Sequence, residues 1–335
     1  MMDYRVPVHY GLMTQAKIDT ARLSSTVSSA SFAREYLSIW TGNSSEAWFD
    51  SDMLMRRRTL LRCERENRLN ESMTGCFYVI SCDIGRLRCN TVLSVFKVVP
   101  YEDHLQSKLV YMEVVHGENF ITQQAPRIKR LIGLFKPREV VIDANGLGVG
   151  LMDAMVLETF DPETGEKFPP YYAFNLDSHL PPNKKVGGEE PWPELNAIIY
   201  EMKSNGSVEG EMLSNMYSRF CSGFVSLLAS EQVIKSKLLA TKKGQAMTLY
   251  DRRVFLLPYE MTSRLIDELN NLRLRPGTSV GDIKVEQISK STPKDRVSSV
   301  EYGLWRVKYY EDKMLRSRRR NFKGKLAFFS PRRRG

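Results

Sequence analysis

Residues 76–85 read CFYVISCDIG, an apolar, β-rich run that ends in Asp83 and Gly85. Runs of this length and composition form strands, and the acid and glycine mark where this one stops. TVLSVFKVV (91–99) and KLVYMEVVHG (108–117) repeat the character. Three strands in close succession predict an antiparallel meander. The next segment, NFITQQAPRIKRLIGLF (119–135), has apolar positions at helical spacing, with Pro126 as a start or kink. It leads to REVVIDANGLGVG (138–150), apolar until Asp143 and hence predicted as a central strand covered on both faces. A helix is expected from 147 to 160.

Further along, PPYYAFNL (169–176) reads as a fifth strand and 179–193 as an exposed loop rich in Pro, Gly and Lys. WPELNAIIYEMKSNG (192–206) and the segment 210–230 show helical patterns. ATKKGQAMTLYDRRVFLLP (240–258) reads as a basic hairpin or an extended excursion, 261–275 as helix, 282–289 as strand and 293–320 as a long final helix opened by Pro293. Before the first strand, SASFAREYLSIW (29–40) is amphipathic and MLMRRRTLLRCERENRLN (53–70) is a charged helix or linker.

The chain has 335 residues, 42% hydrophobic and 10% aromatic, enough to bury a core and unlike a disordered chain. Its 49 Lys and Arg against 39 Asp and Glu leave a charge of +10, which favours a polyanion, nucleic acid first and a membrane surface second. The five cysteines have neither a zinc-knuckle spacing nor an even count, so they are read as reduced and mostly buried. No run approaches the length of a membrane span, and the start lacks a signal peptide's apolar stretch, which predicts a soluble, intracellular protein. His9, His104, His116 and His179 show no metal-ligand spacing, and Trp192, Trp305, Tyr309 and Tyr310 sit among apolar positions as helix-packing residues.

Chemistry is expected at Asp83, Asp143 and Asp295. The first two end strands, where open sheets place their ligand crevice, and the third opens a helix, where the macrodipole favours negative charge. Three converging carboxylates repel one another unless divalent cations neutralise them, and an all-oxygen set suits Mg²⁺ or Mn²⁺. Two such ions about 4 Å apart can activate water and stabilise the leaving oxygen of a phosphodiester. Gly85 and the glycines from Gly146 to Gly150 would let a phosphate approach closely. For each aspartate alone, ending a strand or starting a helix is the competing explanation.

Three blocks, CFYVISCDIGRLRCNTVLSVFKV (76–98), EVVIDANGLGVGLMDAM (139–155) and STPKDRVSSVEYGLW (291–305), together resemble the nuclease domain of the large terminase subunit of tailed bacteriophages. The resemblance spans about residues 75 to 312. It implies an α/β fold, an RNase H-like mixed β-sheet flanked by helices over 73–312, after a helical extension at 1–72 similar to the end of a terminase ATPase domain. A basic, disordered tail is expected at 313–335. The resemblance further implies that Asp83, Asp143 and Asp295 bind two Mg²⁺ or Mn²⁺ ions and cut concatemeric viral DNA in the host cytoplasm. Its implied partners are double-stranded DNA, the portal and the small terminase subunit, with no membrane. The chain has no GxxxxGK[ST] loop, so the ATPase motor is expected elsewhere on the same or another polypeptide. Some relatives carry a further carboxylate where this chain has Asn90.

Basic residues around these blocks are candidates for DNA contacts: Lys294 and Arg296 beside the third aspartate, Arg86 and Arg88 after the first, and Lys242, Lys243, Arg252 and Arg253 near the predicted hairpin. A solvated surface competes for the last set, and charge balance for the arginines. Two alternatives remain: an actin-like ATPase or kinase cradling nucleotide phosphates at DIG and DANGLGVG, and a non-catalytic DNA-binding packaging protein.

Overall fold

A computed structural model describes residues 4–23, 46–85, 90–115, 119–145, 148–182, 184, 190–203, 206–275 and 283–327. Its centre is a seven-stranded mixed sheet. The strands are β1 (Phe77–Asp83), β2 (Thr91–Pro100), β3 (Leu105–Val115), β4 (Glu139–Asp143), β7 (Tyr172–Ala173), β8 (Ala197–Met202) and β9 (Val225–Ser226), in the order β7-β8-β4-β1-β2-β3-β9. β1 pairs antiparallel with β2 and β2 with β3, the expected meander, whereas β1–β4, β4–β8, β7–β8 and β3–β9 are parallel. Only β2 runs against the rest. This is the expected α/β class, a mixed β-sheet flanked by helices. Short pairs β5 (Thr159–Phe160) with β6 (Lys167–Phe168) and β10 (Leu272–Leu274) with β11 (Val285–Gln287) lie outside it.

Period-two alternation sorts the side chains between two cores. Tyr78, Ile80, Cys82, Val140 and Ile142 pack on one face against the helices Ala125–Phe135 and Gly148–Met155. Val79 and Val141 face the opposite core, shared with helices Gly206–Cys221 and Leu249–Asn270 and the final helix, Asp295–Ala327. Phe49, Met53 and Leu54 join that second core, so packing shows no break near residue 72.

Several expectations are corrected. Residues 192–206 were expected to be helical, but a short turn at Pro193–Leu195 ends at left-handed Asn196 (φ 54°), and β8 follows. The apolar run from Ala197 is buried between β4 and β7, a setting that favours a parallel strand. The basic hairpin at 240–258 is instead two helices, Lys242–Ala246 and Leu249–Asn270, because Thr241 and Thr248 cap them through Gly244 N and Asp251 N, each at 3.0 Å. The fifth strand shrinks to Tyr172–Ala173, and the charged stretch 53–70 is helical only within Ser51–Arg56. The tail expected to be disordered from 313 carries the final helix on to Ala327. Of the described cysteines only Cys82 is fully buried, and Cys221 is exposed. The amphipathic segment 29–40, Cys89, His116 and most of the loop from 183 to 189 lie outside the described residues. Among the described residues no helix is long and apolar enough to cross a membrane.

Candidate active site

Asp83 and Asp143 end adjacent parallel strands one residue beyond the Cys82–Ile142 pair, so they stand side by side at the carboxyl edge of the sheet. By alternation they share the face of Val79 and Val141, which is the face covered by the final helix. That helix can lie close because small residues line the crossing. Ser94 and Ser299 hydroxyls meet at 2.8 Å, and Ser299 donates to the Ser81 carbonyl at 3.1 Å. A Cβ on Gly303 would come within 2.5 Å of Phe96 and 2.7 Å of Ser81 Oγ. The helix therefore crosses β1 and β2 near its start, with Asp295 as its first residue, and reaches β4 at Tyr302.

Two of the three carboxylates are held by neutral donors. Asp143 accepts from Asn145 N at 2.9 Å and from the Tyr302 hydroxyl at 3.2 Å. Asp295 Oδ2 accepts from Asn90 N at 3.1 Å and Asn90 Nδ2 at 3.4 Å. The backbone beyond Asp83 is pinned at Gly85, whose N–H donates to Thr91 Oγ1 at 3.0 Å and whose carbonyl accepts from Thr91 at 3.1 Å and Gln124 Nε2 at 3.2 Å. Gly148 has a packing role: a Cβ there would fall 1.7 Å from the Asp143 carbonyl oxygen. Its lack of a side chain lets the following helix fold back against the end of β4.

Burial pushes the Asp83 carboxyl well above the usual range, and the charges of Asp295 and then Asp143 push it further. Among the largest influences only Lys294 acts the other way. Burial raises Asp143 too, against the Asn145 and Tyr302 hydrogen bonds. The Tyr302 hydroxyl, driven up by burial and by Asp83 and Asp143, keeps its proton and stays a donor. Nearby Glu301 is buried and pushed up to about 8, with Lys294 opposing and Glu209 adding to the shift.

Asp83, whose proton affinity the charges of Asp295 and Asp143 raise, forms with them an all-oxygen donor set that a hard divalent cation would suit. Among the described residues, however, no three His, Cys, Asp or Glu side chains are gathered into a group that could hold an ion as they stand. The chemistry of the set fits Mg²⁺ or Mn²⁺, and closing the set requires the carboxylates to draw together.

The predicted basic residues divide. Lys294 is partly exposed, with Nζ 3.8 Å from Glu209 Oε1, and its charge reaches Asp83. Arg296 is only 5% exposed and its guanidinium binds Glu268 Oε1 at 2.5 Å, so it offers no free cation to a phosphate. Arg252 donates to the Gly244 and Gln245 carbonyls at 3.1 and 2.7 Å, while Lys242, Lys243 and Arg253 are exposed. At ~1.5 Å per residue, about 24 Å of helix separates Arg252 from Glu268 at the site end. That basic cluster is therefore remote from the aspartates. Arg86, Arg88 and Gly146 lie outside the described residues. Sequence reading missed Thr91, Gln124, Tyr302 and Glu268. Tyr302 had a signal, since it lies two helical turns after Asp295 on the same face, whereas Glu268 had none.

Among solved structures, large terminase nuclease domains match the chain. The large terminase nuclease from thermophilic phage G20c with bound magnesium matches over 78% of this chain and 97% of its own, at 17% identity and a TM-score of 0.43. The Thermus phage P74-26 large terminase nuclease domain matches over 76% and 90%, at 18% identity and 0.39. The manganese-soaked human cytomegalovirus terminase nuclease domain matches over 76% and 93%, at 12% identity and 0.38. No protein-family model and no curated protein matches the chain. Likeness at this level assigns no activity to it.

Proposed function

We propose that the chain is a metal-dependent DNA endonuclease of the terminase kind, which cuts concatemeric viral DNA during genome packaging. The observation that carries the reading is that Asp83 and Asp143 end adjacent strands on the face covered by the helix that begins at Asp295, and that the charges of Asp295 and Asp143 both raise the proton affinity of Asp83. Asp83, Asp143 and Asp295 would hold two Mg²⁺ or Mn²⁺ ions, which supply an activated water and stabilise the leaving oxygen. The protein's part is orientation. Tyr302 and Asn145 fix the Asp143 carboxylate, Asn90 fixes that of Asp295, and the Thr91–Gln124 pair holds the turn after Asp83. Lys294, beside the acids, is the cation best placed to steady a phosphate.

Arg86, Arg88, Lys242, Lys243, Arg252 and Arg253 belong to this reading only as backbone contacts along a duplex, and Arg296 leaves it because it is buried against Glu268. Backbone contacts carry no sequence information, so cutting is expected to show weak site preference. The reading extends to the portal and small terminase subunit as partners, an ATPase motor on the same or another chain, and the host cytoplasm as location. The actin-like alternative needs a duplicated sheet, and the described residues contain one such sheet.

Plasmid cutting tests the reading. The protein should cut with Mg²⁺ or Mn²⁺, stop on EDTA addition, and lose all cutting in Asp143→Asn while keeping its circular dichroism spectrum. Intact plasmid with every divalent ion, or undiminished cutting by Asp143→Asn, would overturn it.

A further inference from the structure

The final helix begins without a cap of its own. Lys294 stands immediately before it and has no side-chain acceptor for the first-turn N–H groups. Glu268, from the carboxyl end of helix Leu249–Asn270, supplies that acceptor across the chain. Its Oε2 accepts from Arg296 N at 2.9 Å and from Val297 N at 3.2 Å, while Oε1 binds the Arg296 guanidinium. Glu268 is 2% exposed, and its negative charge lies at the end of the helix that favours it. The same helix end also holds the approach to Asp295. The Ile288 N–H donates to the Asn271 carbonyl at 2.7 Å, and the Asn271 side chain exchanges two bonds of 2.8 Å with the Ser289 backbone.

We infer that Glu268, supported by Asn271, is a positioning residue that sets where the final helix starts and so holds the Asp295 carboxylate toward Asp83 and Asp143. Glu268 acts through the backbone of Arg296 and Val297. The inference rests on the nuclease reading for its consequence, but the contact itself does not. Outer groups that orient a metal ligand typically change metal affinity by about 10- to 100-fold. Removing Glu268 should therefore weaken Mn²⁺ binding more than it slows cutting at saturating Mn²⁺.

The test uses the full chain, with Glu268→Ala, Glu268→Gln and Asn271→Ala beside the wild type. Calorimetric titration with Mn²⁺ gives affinity, plasmid cutting against Mn²⁺ concentration gives activity, and metal-free amide exchange reports on Arg296 and Val297. Expected for Glu268→Ala are Mn²⁺ binding weakened about tenfold or more, cutting largely restored at high Mn²⁺, and faster exchange at both amides. Glu268→Gln, which keeps an acceptor oxygen, should recover much of the loss. Asn271→Ala should shift Mn²⁺ affinity in the same direction even if Glu268→Ala fails to fold. A lower melting temperature with wild-type Mn²⁺ affinity would overturn the inference and leave Glu268 as a stability contact. If the wild type neither binds Mn²⁺ nor cuts, the nuclease reading falls. The amide-exchange comparison then decides by itself whether Glu268 holds the helix start.

Discussion

Where Asp83 stands, with Asp143 beside it and Asp295 at the facing helix start, ionisation brings negative charge onto negative charge in a partly desolvated place. A carboxyl whose folded-state pKa is raised binds its proton more tightly folded than unfolded. Its cost is absent below the unfolded value and grows as pH rises toward the folded one. For Asp83 the window opens at 3.8, and for Glu301 it runs from 4.5 to about 8. Metal-free protein should accordingly lose thermal stability as pH is raised from about 5 to about 8. Asp83→Asn and Glu301→Gln should each flatten that loss, and Asp83→Asn should also abolish the gain from added Mn²⁺. Melting curves across pH, with EDTA and with Mn²⁺, measure both effects. A wild-type profile rising over this range would contradict the charge arrangement.

At the scale of elements, the crossing of the final helix over β1 and β2 decides whether Asp295 and Tyr302 reach the sheet at all. Gly303 is the tightest point, with Phe96 and Ser81 where its Cβ would be. Gly303→Ala should force the helix outward at a cost of about 1–3 kcal/mol, visible in urea unfolding. Because the displaced turn contains Tyr302, the hydrogen bond to Asp143 should lengthen, and cutting should fall further than the stability loss explains. Unchanged unfolding and full activity would show that the crossing tolerates more space than the structure has.

Across the whole molecule, the final helix is tied to the start of β4 by a buried charge cluster. The Arg306 guanidinium pairs with both oxygens of Glu139 and lies over the Tyr200 and Tyr309 rings, 3.8 and 4.4 Å from their centroids. The Tyr310 hydroxyl donates to the same carboxylate. Breaking one side leaves a charge buried and unpaired, so Arg306→Met should cost about 3–5 kcal/mol. Arg306→Met with Glu139→Met should recover much of that, because the uncompensated carboxylate is gone. Additive losses in the double variant would argue that packing on the tyrosines, and not the ion pair, dominates.

The sequence by itself determined the strands around Asp83 and Asp143, the meander, the helix at Asp295 and the expectation that these acids act together. Those features are local: apolar runs, a terminating acid and glycine, and a proline before a helix specify their own conformations. The local pattern leaves 192–206 and 240–258 open: helix and strand compete in the short apolar run from Ala197 until burial between β4 and β7 decides, and capping by Thr241 and Thr248 makes the basic stretch helical. Only the tertiary structure decided that Arg296 is an internal partner of Glu268, that Lys242, Lys243, Arg252 and Arg253 stand far from the acids, and that Glu268 caps a helix it does not belong to. Such contacts join residues distant in sequence, and nothing in the local spacing records which side chain meets an open helix end.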